Sequence, residues 1–301
     1  MKIASLFKFA AWCFAGLLVV LLVVGGTVFV LSQRKLQKTH VVEARPVPVS
    51  AAAEVLAHGR HLATTRGCAD CHDANFAGRA VVEDPAVGRL HAPNLTRGQG
   101  GLPADYTDAD WVRAIRHGVA RDGRALVLMP SLDYEGMSDQ DLGALISYLK
   151  TVPPVDRARG PVSFGPIGRM LLVKGDIKLA AEHIDHGAAR PASVTPEISP
   201  AYGKYLAASC IGCHGTNFSG GPIAGAPPDW PHATNLTPGP GGAVTQWTEE
   251  NFIAALRTQK RPDGSSLHPV MPAAFGQMTD LELKALWSYL RTLSPLATHT
   301  R

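Results

Sequence analysis

The sequence predicts an all-α protein: two helical domains in tandem behind one N-terminal transmembrane helix. Three observations predict it. An unbroken apolar run stands near the N-terminus. Two later stretches repeat one another at an offset of 141 residues. Each repeat carries apolar residues at helical spacing, and neither shows the alternation that marks a strand.

The apolar run comes first. Between Lys8 and Arg34, Phe9 to Leu31 form 23 uncharged positions rich in Leu and Val. About 20 apolar residues suffice to cross a bilayer as a helix. A cleaved signal peptide would have a shorter apolar region and a small-residue cleavage site, whereas this run ends in GTVFVLSQRK. Residues 1–34 are therefore predicted to be an uncleaved anchor, in contact with the lipid bilayer through residues 9–31. Flanking charge does not orient it, since Lys2, Lys8 and the amino terminus oppose Arg34, Lys35 and Lys38. Cys13, inside the run, reads as a small apolar residue. Residues 35–53 are charged at first, then read RPVPVSAAA, the composition of a tether.

Residues 54–153 and 200–301 are the two predicted domains. HAPNLTRGQGG at His91 matches HATNLTPGPGG at His232, and YTDADWVRAIRHGVARDGR at Tyr106 matches WTEENFIAALRTQKRPDGS at Trp247. A period this long means a duplicated domain, not a solenoid. Each copy opens with a helix, around 54–66 and 200–209. A middle helix starts at Thr107 or Thr248, with an acid or amide three residues on. A last helix starts at Ser138 or Thr279, where Asp141 or Glu282 completes the pattern of a capping box. Its buried face is Leu142, Leu145, Ile146 and Leu149 in one copy, and Leu283, Leu286, Trp287 and Leu290 in the other. The linker, residues 154–199, is expected to carry a short helix near Arg169–Ile184 and to pack on both domains.

Charge narrows the function. Residues 1–53 hold six Lys and Arg against one acid, whereas residues 54–153 hold ten against thirteen. The basic balance thus belongs to the N-terminal segment. No globular part has the basic footprint that nucleic-acid binding requires.

Four of the five cysteines are spent on one pattern used twice. CADCH places Cys68, Cys71 and His72 together, and CIGCH places Cys210, Cys213 and His214 in the same arrangement. Cys-x-x-Cys-His is the attachment pattern of c-type haem. Each thiol forms a thioether to the porphyrin, and the histidine follows at the position from which imidazole reaches the iron. A zinc ribbon would bring its second Cys pair within about 15–20 residues; here 138 residues lie between Cys71 and Cys210. A thioredoxin-like motif needs a βαβ setting, and a structural disulfide would not explain a histidine in both copies. The expected cofactors are two covalently attached haem c groups.

An iron that only carries electrons needs a sixth ligand. Met129 and Met271 each precede proline, and each lies 57 residues after its motif histidine. A residue before proline is pushed out of the α region, which places both on extended loop where a thioether can face the iron. Met137 and Met278 also correspond, but they stand just before the last helix and read as core filler. The predicted iron ligands are His72 with Met129 and His214 with Met271, a pairing that raises the potential of the haem. His58, His61, His91, His117, His183, His186, His232 and His268 carry no ligand argument and are expected to be exposed or satisfied structurally. Asn94 and Asn235 match a glycosylation sequon, but their recurrence favours a loop against the cofactor. Tyr106, Trp111, Trp247 and Phe252 are expected in the core, with the haem edge as the alternative, and Arg116 and Arg257 on a solvated helix face, with the haem propionates as the alternative.

With these residues in view, the chain resembles a duplicated class I-type cytochrome c domain. More narrowly, it resembles the cytochrome c subunits of bacterial membrane-bound alcohol and gluconate dehydrogenases. The carrying residues are CADCH, PNLT, DWVRAIRHGVARDGR, MPSLDY and DLGALISYLK, with CIGCH, TNLT, NFIAALRTQKRPDG, MPAAF and ELKALWSYL as counterparts. The resemblance covers about residues 54–295. It implies the same iron ligands, His72 with Met129 and His214 with Met271. It also implies passage of substrate-derived electrons towards a quinone or a terminal oxidase, so that the chain is an electron-transfer subunit and not itself an enzyme. Those subunits typically carry three haem motifs; this sequence has two, and its apolar run is N-terminal. The expected partners are a membrane-bound dehydrogenase or oxidase complex and redox proteins. Haem attachment takes place outside the bacterial inner membrane, so the haem domains are expected in the periplasm. A dihaem peroxidase would need one iron with a displaceable sixth ligand, against which the two matched methionines argue. An integral dihaem subunit of a terminal oxidase is the other alternative.

Overall fold

The computed structural model describes residues 2–299 except 224, 225, 227 and 228, with side chains from residue 6 onward. Met1 of the predicted anchor and residues 300–301 of the second predicted domain lie outside the described residues. Helix α1 (Lys2–Gln37) is long and apolar enough to cross a membrane, and its side chains are exposed along the apolar run. The chain after it is laid along the first repeat. His40 N donates to the Gly123 carbonyl (2.8 Å), Ser50 N to Ser147 Oγ (3.0 Å), and Val47 is buried in the first core.

The first repeat comprises α2 (Ala53–Thr65), α3 (Cys68–His72), β1 (Ala80–Asp84), β2 (Gly88–His91), α4 (Asp108–His117), α5 (Ser131–Tyr134) and α6 (Asp139–Leu149). The joining segment holds β3 (Val162–Phe164), α7 (Pro166–Lys174) and a 3-10 turn, Ala180–Glu182. The second repeat comprises α8 (Pro200–Ala207), a 3-10 turn (Ala208–Cys210), α9 (Ile211–His214), α10 (Ala243–Gln246), α11 (Glu249–Thr258), a 3-10 turn (Ala273–Gln277) and α12 (Asp280–Leu290).

Each repeat is built on a crossing of its first and last helices, α2 on α6 and α8 on α12. A glycine sits at each crossing. A Cβ on Gly59 would lie 2.0 Å from the Ala144 carbonyl, and one on Gly203 1.9 Å from that of Ala285. The absent side chain lets two backbones meet. Leu142, Leu145, Ile146 and Leu149 fill one core, and Leu283, Leu286, Trp287 and Leu290 the other, as their spacing predicted.

One expectation needs an addition and another a correction. The protein is mainly helical, and beside its helices β1, β2 and β3 form a small antiparallel sheet, pairing Glu83 with Arg89 and Gly88 with Phe164. The strands are short and lie mostly at the surface; β2 does alternate, with Gly88 and Leu90 buried and Arg89 exposed, but over only four residues, too few to mark a strand in the sequence. Asp84 closes the hairpin by accepting from Ala86 N (2.7 Å) and Val87 N (2.9 Å). Among the described residues, the second repeat has at this point a single bridge, Gly221 with Ala233. The linker helix also begins earlier, at Pro166, where proline fits the first helical position. It ends at Lys174, because Gly175 turns left-handed at φ 89°. The linker does pack on both repeats. Asp139 N donates to the Pro191 carbonyl (2.9 Å), and Val194 packs against the second core.

The last helices reveal how the repeats meet. Thr279 and Glu282 form the reciprocal capping box expected of them. Ser138 accepts from Asp141 N, but Asp141 does not return the bond. Its carboxylate instead accepts from His58 Nε2 (2.7 Å) and from the Tyr205 hydroxyl (2.5 Å). Tyr205 comes from the second repeat, and its oxygen accepts from Ser138 N (3.1 Å). The second repeat thus supplies the cap that Asp141 withholds. In the reverse direction, His61 Nε2 donates to Glu282 at 2.8 Å.

The bond to Asp141 raises the His58 pKa. Burial pushes the Asp141 carboxyl up, but hydrogen bonds from His58 and Tyr205 outweigh it and hold it below the usual value. The stabilisation from His58 is complete below its unfolded pKa and is lost as pH rises through its raised folded value. That from Asp141 is present above its unfolded pKa and is lost as pH falls through its lowered folded value. The pair is therefore most stabilising at about pH 5–6 and weaker at about pH 8. The thermal midpoint of the haem-loaded protein should fall between those two conditions, and His58→Gln should flatten the fall. An unchanged pH profile in that variant would refute the assignment.

Candidate functional site

Each Cys-x-x-Cys-His motif is one short helical turn. The first is entered through Gly67 in the left-handed region (φ 67°), and the second follows α8 through its 3-10 turn. His72 and His214 are both buried. His72 Nδ1 donates to the Pro93 carbonyl at 2.9 Å, and His214 Nδ1 donates to the Thr234 carbonyl at 2.7 Å. This use of Nδ1 fixes the tautomer and leaves Nε2 with its lone pair free of a proton, the state a metal-ligating imidazole requires. Burial lowers both pKa values, with the backbone bond opposing it, so the imidazoles are neutral, as iron ligation requires.

The accepting carbonyls are held by the asparagines that the repeat singled out. Asn94 Nδ2 donates to the Val155 carbonyl (2.8 Å), and Asn94 Oδ1 accepts from Thr96 N (2.9 Å). Asn235 does the same with Leu296 (2.9 Å) and Thr237 (2.8 Å). Both asparagines are at most 2% exposed, which closes them to glycosylation. The loop is thereby riveted to the segment that leaves the last helix.

Burial pushes the Cys68 and Cys210 thiols up to about 12 and raises that of Cys71. A redox-active or zinc-binding cysteine needs the opposite shift. The residues fit a porphyrin on one further count. Trp111 Nε1 is buried with no hydrogen-bond partner among protein atoms, a donor suited to a carboxylate-bearing group.

Met129 and Met271 lie on loop, partly buried against the first and second cores respectively. Met137 and Met278 are core residues at 3% and 1% exposure. Trp111 and Phe252 are buried, with Tyr106 and Trp247 packed against them as expected. Arg116 departs from its expected role. It is buried, donating to the Met137 carbonyl (2.8 Å) and pairing with Asp139 (2.8 Å). Arg257 makes the corresponding bonds to the Gly276 carbonyl and to Asp280 (2.8 Å). These arginines tie the middle helix to the start of the last one.

Sequence reasoning missed two features. Phe76 and Phe218 adopt left-handed backbone at φ 57° and 62°, a strain of about 1–3 kcal/mol each. They pack edge-on against Tyr148 and Tyr289. Their shared place in ANFAG and TNFSG was the available signal. The other feature is a seam between the two motifs, for which no pattern could be read. Arg66, buried, donates through Nη1 to Ser209 Oγ (2.5 Å) and the Leu206 carbonyl (3.3 Å). The Arg66 carbonyl accepts from the Tyr134 hydroxyl at 2.9 Å. Asp133 faces Gly212, inside the second motif, and burial pushes its carboxyl up to about 7.

The cytochrome c family model matches residues 56–153 and 200–294. The chain is 28% identical over 267 residues to a fructose dehydrogenase cytochrome subunit of Gluconobacter japonicus, covering 82% of this chain and 54% of that protein. It is 27% identical over 265 residues to the cytochrome c subunit of a quinone-dependent alcohol dehydrogenase of Gluconacetobacter polyoxogenes, covering 79% and 56%. It is 25% identical over 279 residues to a diheme cytochrome c-type protein of Cereibacter sphaeroides, covering 84% and 90%. The chain thus spans about half the length of the two dehydrogenase subunits. Both motifs, their buried histidines and these relatives agree on two covalently bound haem c groups.

Intact-mass measurement of protein matured in a haem-attaching host should show two porphyrin increments. Replacing Cys68 and Cys71 by alanine should remove one increment and leave the other, and replacing Cys210 and Cys213 should do the converse.

Proposed function

We propose, of a chain that belongs to the cytochrome c family, that it is a membrane-anchored dihaem relay carrying electrons from a dehydrogenase towards a quinone or terminal oxidase on the periplasmic side of a bacterial inner membrane. In this reading residues 54–153 and 200–301 are its two haem domains and α1 is its anchor. Haem c supplies one-electron exchange at its iron. The protein's share is to hold, bury and orient. His72 and His214 would hold the iron through Nε2, and Met129 and Met271 would hold it through their thioether sulfurs.

The observation that carries the relay is the seam. Helix α5 of the first repeat, which follows Met129-Pro130, packs against the second attachment turn. Arg66 spans the two motifs, and its charge acts on both Cys68 and Cys210. Two attachment segments joined through one buried side chain suit electron passage within the chain, so that one haem can face a donor and the other an acceptor. The anchor supports the same reading, because tethering raises the effective concentration of membrane partners.

Met129→Ala and Met271→Ala should each convert one haem to a high-spin or ligand-replaced optical spectrum. Met137→Ala and Met278→Ala should leave the spectrum intact and cost about 2–5 kcal/mol of stability. The reverse pattern would overturn the ligand assignment. The relay itself is tested on the native membrane form. A co-purifying dehydrogenase, given its substrate, should reduce both haems. Co-purification with a copper-haem oxidase and no dehydrogenase would overturn the stated direction of flow.

A further inference from the structure

We propose that helix α7 lies in the headgroup layer of the bilayer that α1 crosses, forming a second, interfacial membrane contact that favours anionic lipid. The inference rests on reading α1 as a membrane span.

The level of α7 along α1 is fixed by bonds. Arg169 donates to Ser32 Oγ at 2.8 Å and to Gln33 Oε1 at 3.3 Å, and its guanidinium stands 4.3 Å from the centre of the Phe29 ring. Lys35 Nζ donates to the Leu172 carbonyl at 3.3 Å, and Ser32 is fully buried under the contact. The apolar run ends at Leu31. At 1.5 Å per residue, Ser32 to Lys35 occupies about 5 Å beyond the hydrocarbon edge, which is the depth of the headgroup region.

On its inner side α7 is clamped. Gly168 and Leu172 are buried, and a Cβ on Gly168 would lie 1.9 Å from the Val87 carbonyl in the turn between β1 and β2. The outer side is apolar and bare: Ile167 is 45% exposed and Met170, one turn on, 48%. Val162, on the adjoining strand, is 50% exposed. Residues 157–175 hold Arg157, Arg159, Arg169 and Lys174 and no acid. A short helix with an apolar face and a cationic margin, set at the end of a span, matches the chemistry of an anionic headgroup layer. Not every cation is free for lipid. Arg157 pairs with Asp73, Lys174 with Asp176, and Glu182 neutralises part of Lys35 and Lys38.

The test uses the full haem-loaded chain in vesicles of phosphatidylcholine and phosphatidylglycerol, with a photoactivatable diazirine in the upper acyl chain. Adducts are mapped by mass spectrometry. Residues 162–170 should be labelled alongside residues 9–31, with none over 249–258, and more strongly from the phosphatidylglycerol probe. Ile167→Asp with Met170→Asp should reduce labelling of 162–174 several-fold and leave that of 9–31 unchanged. Adducts confined to 9–31 would overturn the proposal while sparing the span, and would leave the face to a protein partner. Equal yield from both probes would overturn the lipid preference. Absence of adducts from 9–31 as well would overturn the span and this inference with it.

Discussion

One hydrogen bond in each repeat, from a histidine Nδ1 to a loop carbonyl, sets the rest of the site. Without it the imidazole could rotate or take its other tautomer, and Nε2 would not be held ready for the proposed ligation of iron. A main-chain carbonyl can hold that bond only if the loop carrying it is rigid. Asn94 and Asn235 supply the rigidity by bonding the segment after the last helix. That segment is itself placed by the crossing of first and last helices, where Gly59 and Gly203 allow the backbones to touch. Helix packing is thus passed through an asparagine to a ring nitrogen. The same sequence of contacts occurs twice in one chain.

The copies differ where they face each other. Asp141 and Glu282 occupy corresponding positions, yet only Glu282 completes its capping box. Asp141 turns to His58 and Tyr205, and the cap is restored from across the seam by the tyrosine oxygen. Replacing a local bond by a distant one makes the last helix of the first repeat depend on the second. Arg66 strengthens that dependence. Its buried guanidinium finds its acceptors across the seam, Nη1 donating to Ser209 Oγ and to the Leu206 carbonyl of the second repeat. Burial of such a group ties the docking of the repeats to the geometry of both attachment turns.

At the other end of the first repeat, α1 is not a loose leash. Arg169 and Lys35 bind α7 to its last turns, and the chain that follows is laid along the first core through Val47 and Ser50. The orientation of the first attachment motif relative to α1 is therefore a property of packing. In the proposed reading of an anchored relay, a haem held at a set height would meet membrane partners more reliably than one on a free tether.

Much of this was legible in the amino-acid order. The duplication, the two attachment motifs, the core faces of the last helices and the long apolar helix α1 all follow from local chemistry: spacing, periodicity and run length. The loop position of Met129 and Met271 followed from the proline after each. Other features were not legible, because their partners are distant in the chain. Arg116 looked like a solvated helix residue until the Met137 carbonyl and Asp139 were brought beside it. The strands β1–β3 are too short to be read, and even β2, which buries Gly88 and Leu90 about an exposed Arg89, alternates over only four residues. Asp141 and Glu282 look alike in their motifs, and only the approach of Tyr205 from 64 residues away decides which of them closes its box. Local pattern specifies which groups a chain carries and the helices they sit on. Which of those groups meet depends on long-range packing, and tertiary contact alone decides it.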